Sequence, residues 1–256
     1  ANKIIPAFHA SGSKRLEVYD TASDVYVADL DKRSIISSPL LADSLWLETF
    51  PTFSPDGKYI YYCTARNSLL RRDSADLASA VRGLQYVLCR VPFDASTETI
   101  GDKADTLTAA LSSVCHPRVS PDGSRLLYTQ QAYGTFPIWH READLRMLDL
   151  KTMKVDSLAI VNSPLSDTYH SWSSNSRWFV FASKRDDGLY GKPYFCYVDR
   201  QGKAHKPFVL PQEYPSFYDN FLKSFNTPEL GRGSLPFKAE DVGKLFNSKP
   251  LPFTLR

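Results

Sequence analysis

The sequence predicts an all-β fold of the β-propeller type, built from four-stranded antiparallel blades. Three observations support this prediction. A strand–turn–strand motif recurs along the chain, a second apolar strand motif alternates with it, and aromatic residues make up 13% of the 256 residues. Aromatic side chains are enriched in strands, and a unit that recurs along a chain is typical of a repeat architecture.

The first motif centres on a serine that is followed by a tight turn. Three segments align without gaps at Ser54, Ser120 and Ser173. In the first two copies the serine is followed by Pro-Asp-Gly, in which proline presets a negative φ and glycine takes a positive φ without strain. The third copy has Ser-Asn-Ser at residues 174–176 in its place. Each copy therefore predicts a turn between two short strands.

The strand after each turn is apolar on both of its faces. In the first copy Ile60 and Tyr62 share one face and Tyr61 lies on the other, and the two later copies follow the same pattern. A strand that is apolar on both faces is covered by neighbours on both sides. We therefore expect this strand to lie inside a stack of sheets.

A second motif supplies the remaining strands of each unit. It occurs at residues 24–30, 85–91, 144–150 and 193–199. A polar turn and a shorter fourth strand follow most copies, for example at Val155 to Ala159. The propeller region is predicted at residues 1–210, with a partial blade at 1–49 and full blades at 50–115, 116–168 and 169–210.

Three full blades are fewer than the ~4–8 blades of ordinary propellers. We therefore expect this chain to be part of a larger propeller, with earlier blades upstream of Ala1; a three-bladed or open array is the alternative. Residues 211–256 depart from the repeat because six prolines interrupt regular structure. The same segment holds six phenylalanines, so it is predicted to be a Pro/Phe-rich extension over the propeller surface or toward a neighbour rather than a flexible tail.

The residues around the turns also resemble a known family. Phe-Ser-Pro-Asp-Gly-Lys at 53–58, followed by an aromatic strand, resembles the WD-like repeat of TolB-type β-propellers, which also occurs in prolyl-oligopeptidase-like peptidases. The run from Trp172 to Gly188 is similar to TolB-like propeller proteins of Bacteroidetes, which are secreted to the periplasm. The resemblance covers residues 14–210. It implies a periplasmic location and capture of a peptide at the channel mouth, but propellers serve many unrelated activities.

Several function classes lack their motifs in this sequence. There is no Gly-x-Ser-x-Gly nucleophile turn, no GxGxxG or Walker A loop and no HExxH motif. The four cysteines show no CxxC spacing, and the five histidines are scattered. We therefore predict no catalytic residue, no cofactor and no metal site.

Charge and hydropathy narrow the class of partner. The formal net charge of +3 is close to balanced, which argues against a dedicated nucleic-acid-binding protein. No run of 18 apolar residues occurs, so no transmembrane helix is predicted. The sequence makes no prediction of the oligomeric state.

Two groups of residues are candidates for binding. His116, Arg118, Tyr169 and His170 lie just before the repeat serines, on the strands predicted to face the central channel. Alternatively, these side chains hold ordered water and one another.

The second group lies on long insertions between the second and third strands of two blades, at residues 66–83 and 131–142. It comprises Arg72, Tyr133, Trp139 and His140. Exposed aromatic side chains together with Arg are typical interface anchors. Packing of Trp139 against its own blade is the alternative.

The predicted function is therefore that of a non-enzymatic periplasmic propeller that binds a protein or peptide through its loop face or channel mouth. One alternative is the propeller domain of a prolyl-oligopeptidase-like peptidase whose hydrolase domain lies outside this chain. The other is a carbohydrate-binding propeller, which loops rich in Tyr and Trp would also permit.

Overall fold

The N-terminal strands form two small sheets in a computed structural model, which describes residues 7–11, 15–19, 21–68 and 79–255. An antiparallel hairpin is formed by β1 (Ala7–Ser11) and β2 (Arg15–Tyr19), and a second antiparallel pair by β3 (Val27–Asp29) and β4 (Ser34–Ile36). The repeat pattern predicted only the second pair, because the hairpin lacks the Pro-Asp-Gly turn that marks the later repeats.

Three larger antiparallel sheets follow, one for each repeat serine. The first sheet contains β5 (Trp46–Phe53), β6 (Tyr59–Arg66), β7 (Val87–Asp94), β8 (Thr99–Ile100) and β9 (Asp105–Thr106), of which the last two both pair with β7. The second sheet contains β10 (Ser113–Val119), β11 (Arg125–Gln131), β12 (Asp144–Asp149) and β13 (Val155–Asp156). The third sheet contains β14 (Asp167–Trp172), β15 (Trp178–Ser183), β16 (Lys192–Tyr197) and β17 (Phe208–Val209). Apart from β9, which pairs with β7, neighbouring strands in each sheet follow chain order, so the predicted blade architecture is confirmed.

Successive sheets pack face to face through apolar side chains. On β11, Leu126 joins the core shared with the first sheet, whereas its neighbour Leu127 joins the core shared with the third sheet. Both side chains are fully buried. On the third sheet, Phe179 and Phe181 fill the second of these cores. The middle strands are therefore covered on both faces, as the sequence predicts.

The repeat serines tie each turn to the strand that follows it. The Ser54 hydroxyl donates a hydrogen bond to Asp56 (2.6 Å) and accepts one from the backbone N–H of Tyr59 (2.9 Å). Ser120 and Ser173 make the corresponding bonds in their own turns. The turns are thus built by local side-chain bonds that the short motif encodes.

The first strand of each large sheet, β5, β10 or β14, carries a β-bulge just before its turn. These three strands are called the inner strands below, and the middle one, β10, contacts both β5 and β14. The bulges place Phe50, His116 and Tyr169 at φ values of 53°, 54° and 51°. Positive φ is uncommon for residues other than glycine, so the three equivalent positions share the same backbone strain.

The C-terminal extension runs back over the blades. It contains two short helices, a 3₁₀-helix at Pro215–Asn220 and α1 (Ala239–Phe246), and ends in β18 (Thr254–Leu255). The backbone N–H of Phe225 donates to the carbonyl of Gly191 at the third sheet (2.8 Å), and β18 pairs in parallel with β4. The extension therefore connects the third sheet to the N-terminal strands.

The four cysteines are all buried and unpaired. Burial raises the pKa values of the Cys63 and Cys115 thiols well above the usual range. Buried, fully protonated thiols are poor nucleophiles. None of the helices formed by the described residues has the length and apolar character needed to span a bilayer.

Candidate functional site

The inner strands bring together the channel residues predicted from the sequence. The ring of His116 lies between those of Phe50 and Tyr169, with centroid distances of 4.1 Å and 5.1 Å. These residues occupy equivalent bulge positions of three different sheets. The repeat thus produces a row of contacting rings along the inner strands, one pair tilted at 43° and the other edge-on at 67°.

The two histidines of this region are held in their neutral form. His170 is 1% exposed, and neither of its ring nitrogens has a hydrogen-bond partner among the described residues. Burial lowers its pKa to about 4, although nearby backbone groups of Leu127 and His116 partly oppose the shift. Burial also lowers the pKa of His116 to about 3, and the charges of His170 and Arg118 add to this effect.

A third buried titratable group lies on the inner strand β5. Glu48 is 2% exposed, and its Oε2 atom has no partner among the described residues. Burial raises its pKa to about 8, and the negative charges of Asp24 and Asp43 act in the same direction. A carboxyl group in this environment is protonated at neutral pH.

The C-terminal extension lies against the end of the inner strands. Ser171 donates a hydrogen bond to the carbonyl of Pro228 (2.7 Å), and the guanidinium of Arg118 lies 4.0 Å from the carboxylate of Glu229. Arg118, one of the predicted channel residues, therefore already faces a charged residue of the same chain.

A separate cleft opens on the loop face, which carries the connections between the second and third strands of the second and third sheets. This loop-face cleft has a volume of about 590 Å³. It lies between residues 138–141 of one connection and residues 184–189 of the other. Trp139 is 41% exposed and Leu189 is 67% exposed, so two large apolar side chains meet solvent here.

A short 3₁₀-helix, η1 (Pro137–Trp139), positions the cleft residues on the second sheet. The next residue, His140, has an extended backbone, with φ −100° and ψ 114°. Its side chain is 8% exposed, its Nδ1 atom lies 2.9 Å from a Glu142 carboxylate oxygen, and its ring packs edge-on against Tyr133 at 4.5 Å. His140 and Tyr133 thus anchor the loop from behind.

The cleft also carries charged side chains. Lys184 donates a hydrogen bond to the carbonyl of Ile138 (3.0 Å), and its ammonium lies 5.9 Å from the centre of the Trp139 ring. Arg141 lines the cleft beside Trp139, and its Nε atom donates to the carbonyl of Pro164 (3.4 Å). Asp186 and Asp187 also line the cleft.

The structure separates the residues that the sequence grouped on the insertions. Trp139 lines the loop-face cleft, whereas Tyr133 and His140 lie behind it. Arg72 lies outside the described residues. The sequence reasoning missed Arg141, which lies in the turn after η1 where no regular pattern of residues marks its position.

A metal site is not apparent in the part of the chain that the structure describes. No group of three or more His, Cys, Asp or Glu side chains there is arranged to hold an ion. The described residues also contain no α/β-hydrolase domain beside the sheets and the extension.

Several solved structures resemble this chain. An oligogalacturonate lyase in complex with manganese matches with a TM-score of 0.51 and 12% identity, over 77% of this chain and 50% of that one. TolB from Acinetobacter baumannii matches with a TM-score of 0.45 and 18% identity, over 72% of this chain and 37% of that one. The β-propeller domain of the Trilobed protease from Pyrococcus furiosus matches with a TM-score of 0.38 and 14% identity, over 66% of this chain and 44% of that one.

This chain has a β-propeller fold. At such identities the likeness shows the fold alone, and this propeller spans half or less of the length of the three solved structures. No protein-family model matches the chain, and no curated protein matches its sequence. The function of this propeller must therefore be argued from its own surface.

Proposed function

We propose that this chain is a non-enzymatic binding propeller that holds a protein or peptide segment in the loop-face cleft. The observation that carries the proposal is Trp139, a large aromatic side chain that remains 41% exposed at the wall of a cleft of about 590 Å³. Exposed Trp beside Arg is typical of the few residues that dominate protein interfaces.

The local architecture supports recognition at this cleft. His140 is buried between Tyr133 and Glu142, so the segment that carries Trp139 is fixed before a partner arrives. Ser166 donates a hydrogen bond to the carbonyl of Pro137 (3.1 Å) and ties the same segment to the third sheet. A preorganised wall costs less entropy on binding than a loop that must first become ordered.

The inner strands are a weaker candidate for the same role. Arg118 lies close to Glu229 of the extension, and Ser171 is bonded to Pro228. The extension therefore covers this end of the inner strands. His116, Tyr169 and His170 remain proposals for ligand contacts deeper in the channel.

A periplasmic location, and an origin in Bacteroidetes, are part of the proposal and rest on the family resemblance of the repeats. The buried thiols are compatible with an oxidising compartment, because Cys63 and Cys115 are inaccessible and protonated.

The test is recovery of a partner from a periplasmic extract by the purified chain. Trp139→Ala should abolish recovery without lowering the melting temperature. Trp46→Ala is the matched control, because Trp46 is 42% exposed and lies outside the cleft. Equal recovery by wild type and Trp139→Ala would contradict the proposal.

The same variants test the alternatives. Binding to a glycan array that is lost in Trp139→Ala would favour a carbohydrate-binding propeller. Recovery of a hydrolase domain as the partner would favour the peptidase interpretation, in which the propeller controls access to a separate active site.

A further inference from the structure

We infer that the segment bound in the loop-face cleft carries a carboxylate close to an apolar side chain. This inference rests on the proposed function, because it names the chemistry of the partner at the same cleft. It follows from two features of the cleft: its balance of charge and its exposed apolar side chains.

The aspartates of the cleft are already compensated. The ammonium of Lys192 lies 3.1 Å from Asp186 and 3.7 Å from Asp187. Asp186 also accepts a hydrogen bond from the Tyr194 hydroxyl (2.9 Å), and Asp187 accepts one from the backbone N–H of Leu189 (2.8 Å). These carboxylates therefore stabilise their own wall, and a cationic ligand would have to compete with Lys192 for them.

The positive side of the cleft retains donor capacity. Arg141 is exposed, and its one hydrogen bond within the described part of the chain is a long one, from Nε to the carbonyl of Pro164 (3.4 Å). Its two Nη groups point to no acceptor among the described residues. Lys184 places a second cation at the same wall. A guanidinium with open Nη donors matches a carboxylate in charge and in bidentate geometry.

Two exposed apolar side chains complete the cleft. Trp139, the last residue of η1, is 41% exposed, and Leu189 is 67% exposed. Arg141 lines the same cleft from the turn that follows η1. An apolar side chain of the ligand would then lie on Trp139 and Leu189 while its carboxylate reaches Arg141.

The experiment measures fluorescence anisotropy with labelled eight-residue peptide pools. In the acidic pool, Leu or Phe stands two residues from Asp or Glu, with Ser between them. A second pool replaces the acids with Asn or Gln, and a third with Lys or Arg. We expect the acidic pool to bind at least about tenfold more tightly than either of the others, and this preference to weaken as salt is added.

Matched variants separate this inference from the proposed function. Arg141→Gln should remove the preference for the acidic pool, whereas Arg200→Gln, which changes an exposed arginine outside the cleft, should preserve it. Trp139→Ala should weaken binding of all three pools. Equal binding of the acidic and amide pools, sensitive to Trp139→Ala, would overturn the inference while the proposed function stands. Tighter binding of the basic pool would also overturn it. Binding of no pool, together with recovery of no partner from extract, would overturn both.

Discussion

The inner strands and the loop-face cleft both carry polar side chains, but they hold them in different ways. On the inner strands, Glu48, His116 and His170 have buried polar atoms without partners among the described residues. In the cleft, Asp186 is paired with Lys192 and Tyr194. The inner strands also place their bulge residues at positive φ, whereas none of the non-glycine residues that line the cleft has a positive φ.

The difference shows where this propeller is sensitive to pH. The pKa of Glu48 is raised to about 8, and those of His116 and His170 are lowered to about 3 and about 4. All three groups are therefore uncharged near pH 6, where the inner strands are most stable. Folding disfavours protonation of the two histidines and deprotonation of Glu48. Acid and alkali should therefore both destabilise the folded chain.

The largest expected effect is in acid. A histidine with a lowered folded pKa contributes stability that is present above its unfolded pKa of about 6.5 and is lost as pH falls toward the folded value. Each of His116 and His170 should contribute up to about 3 kcal/mol of this loss between pH 7 and pH 4. The variant His116→Phe/His170→Pro copies Phe50 and its neighbour Pro51 from the first sheet, and should show a shallower loss in urea titrations.

A substitution at an exposed position provides the control for this measurement. Arg200→Gln lies outside the inner strands and should keep the wild-type dependence of unfolding free energy on pH. An acid loss of the same size in the double variant would show that the inner-strand histidines are not its source.

The next effect is in alkali. A carboxyl group with a raised folded pKa contributes stability that is present below its unfolded pKa and is lost as pH rises through the folded value. Glu48 should therefore cost the wild type up to about 4 kcal/mol between pH 5 and pH 9. Glu48→Gln keeps the shape but cannot ionise, so its melting temperature should vary less over this range. Glu213→Gln, at an exposed position, is the control. If the melting temperatures of both variants decrease equally between pH 5 and pH 9, Glu48 is not the titrating group.

A smaller effect on the free energy of unfolding should distinguish Tyr133, behind the loop-face cleft, from Trp139, which lines it. Tyr133→Ala removes the ring packed on the buried His140 and should lower the free energy of unfolding by about 2 kcal/mol. Trp139→Ala should change it by less than about 0.5 kcal/mol, because that side chain is already 41% exposed. Equal destabilisation of the two variants in urea would mean that Trp139 is a packing residue.

The smallest effect concerns positive φ outside the inner strands. Gly57 has a φ of 70°, and Ser176 occupies the equivalent turn position with a φ of 57°. Gly57→Ser should cost about 1 kcal/mol. Ser176→Gly relieves the same strain but loses the bond that its hydroxyl accepts from the backbone N–H of Asp122 (3.0 Å), so the two terms should nearly cancel. A clear gain in melting temperature for Ser176→Gly would show that this bond between sheets contributes little.

Much of the fold was predictable because it is encoded by short-range patterns. The bonds of Ser54 to Asp56 and to the backbone of Tyr59 all lie within six residues of sequence. The alternation that buries Leu126 on one face and Leu127 on the other is a property of any strand. The all-β class, the repeat and the blade-like sheets therefore followed from the sequence.

The candidate site was less predictable because its members come from different repeats. Trp139 was identified from its residue type, but Arg141 and Leu189 become neighbours only when the second and third sheets pack together. Nor did the pattern reveal that Tyr133 and His140 would contact each other and leave Trp139 at the surface.

The sequence by itself determined the turns, the strands and the positions that are buried, because these depend on residues a few places apart. The tertiary structure decided which side chains meet: Phe50 with His116 across the inner strands, and β18 with β4 at the two ends of the chain. Such contacts depend on the twist and stacking of whole sheets, so the structural preferences of short sequence segments do not predict them.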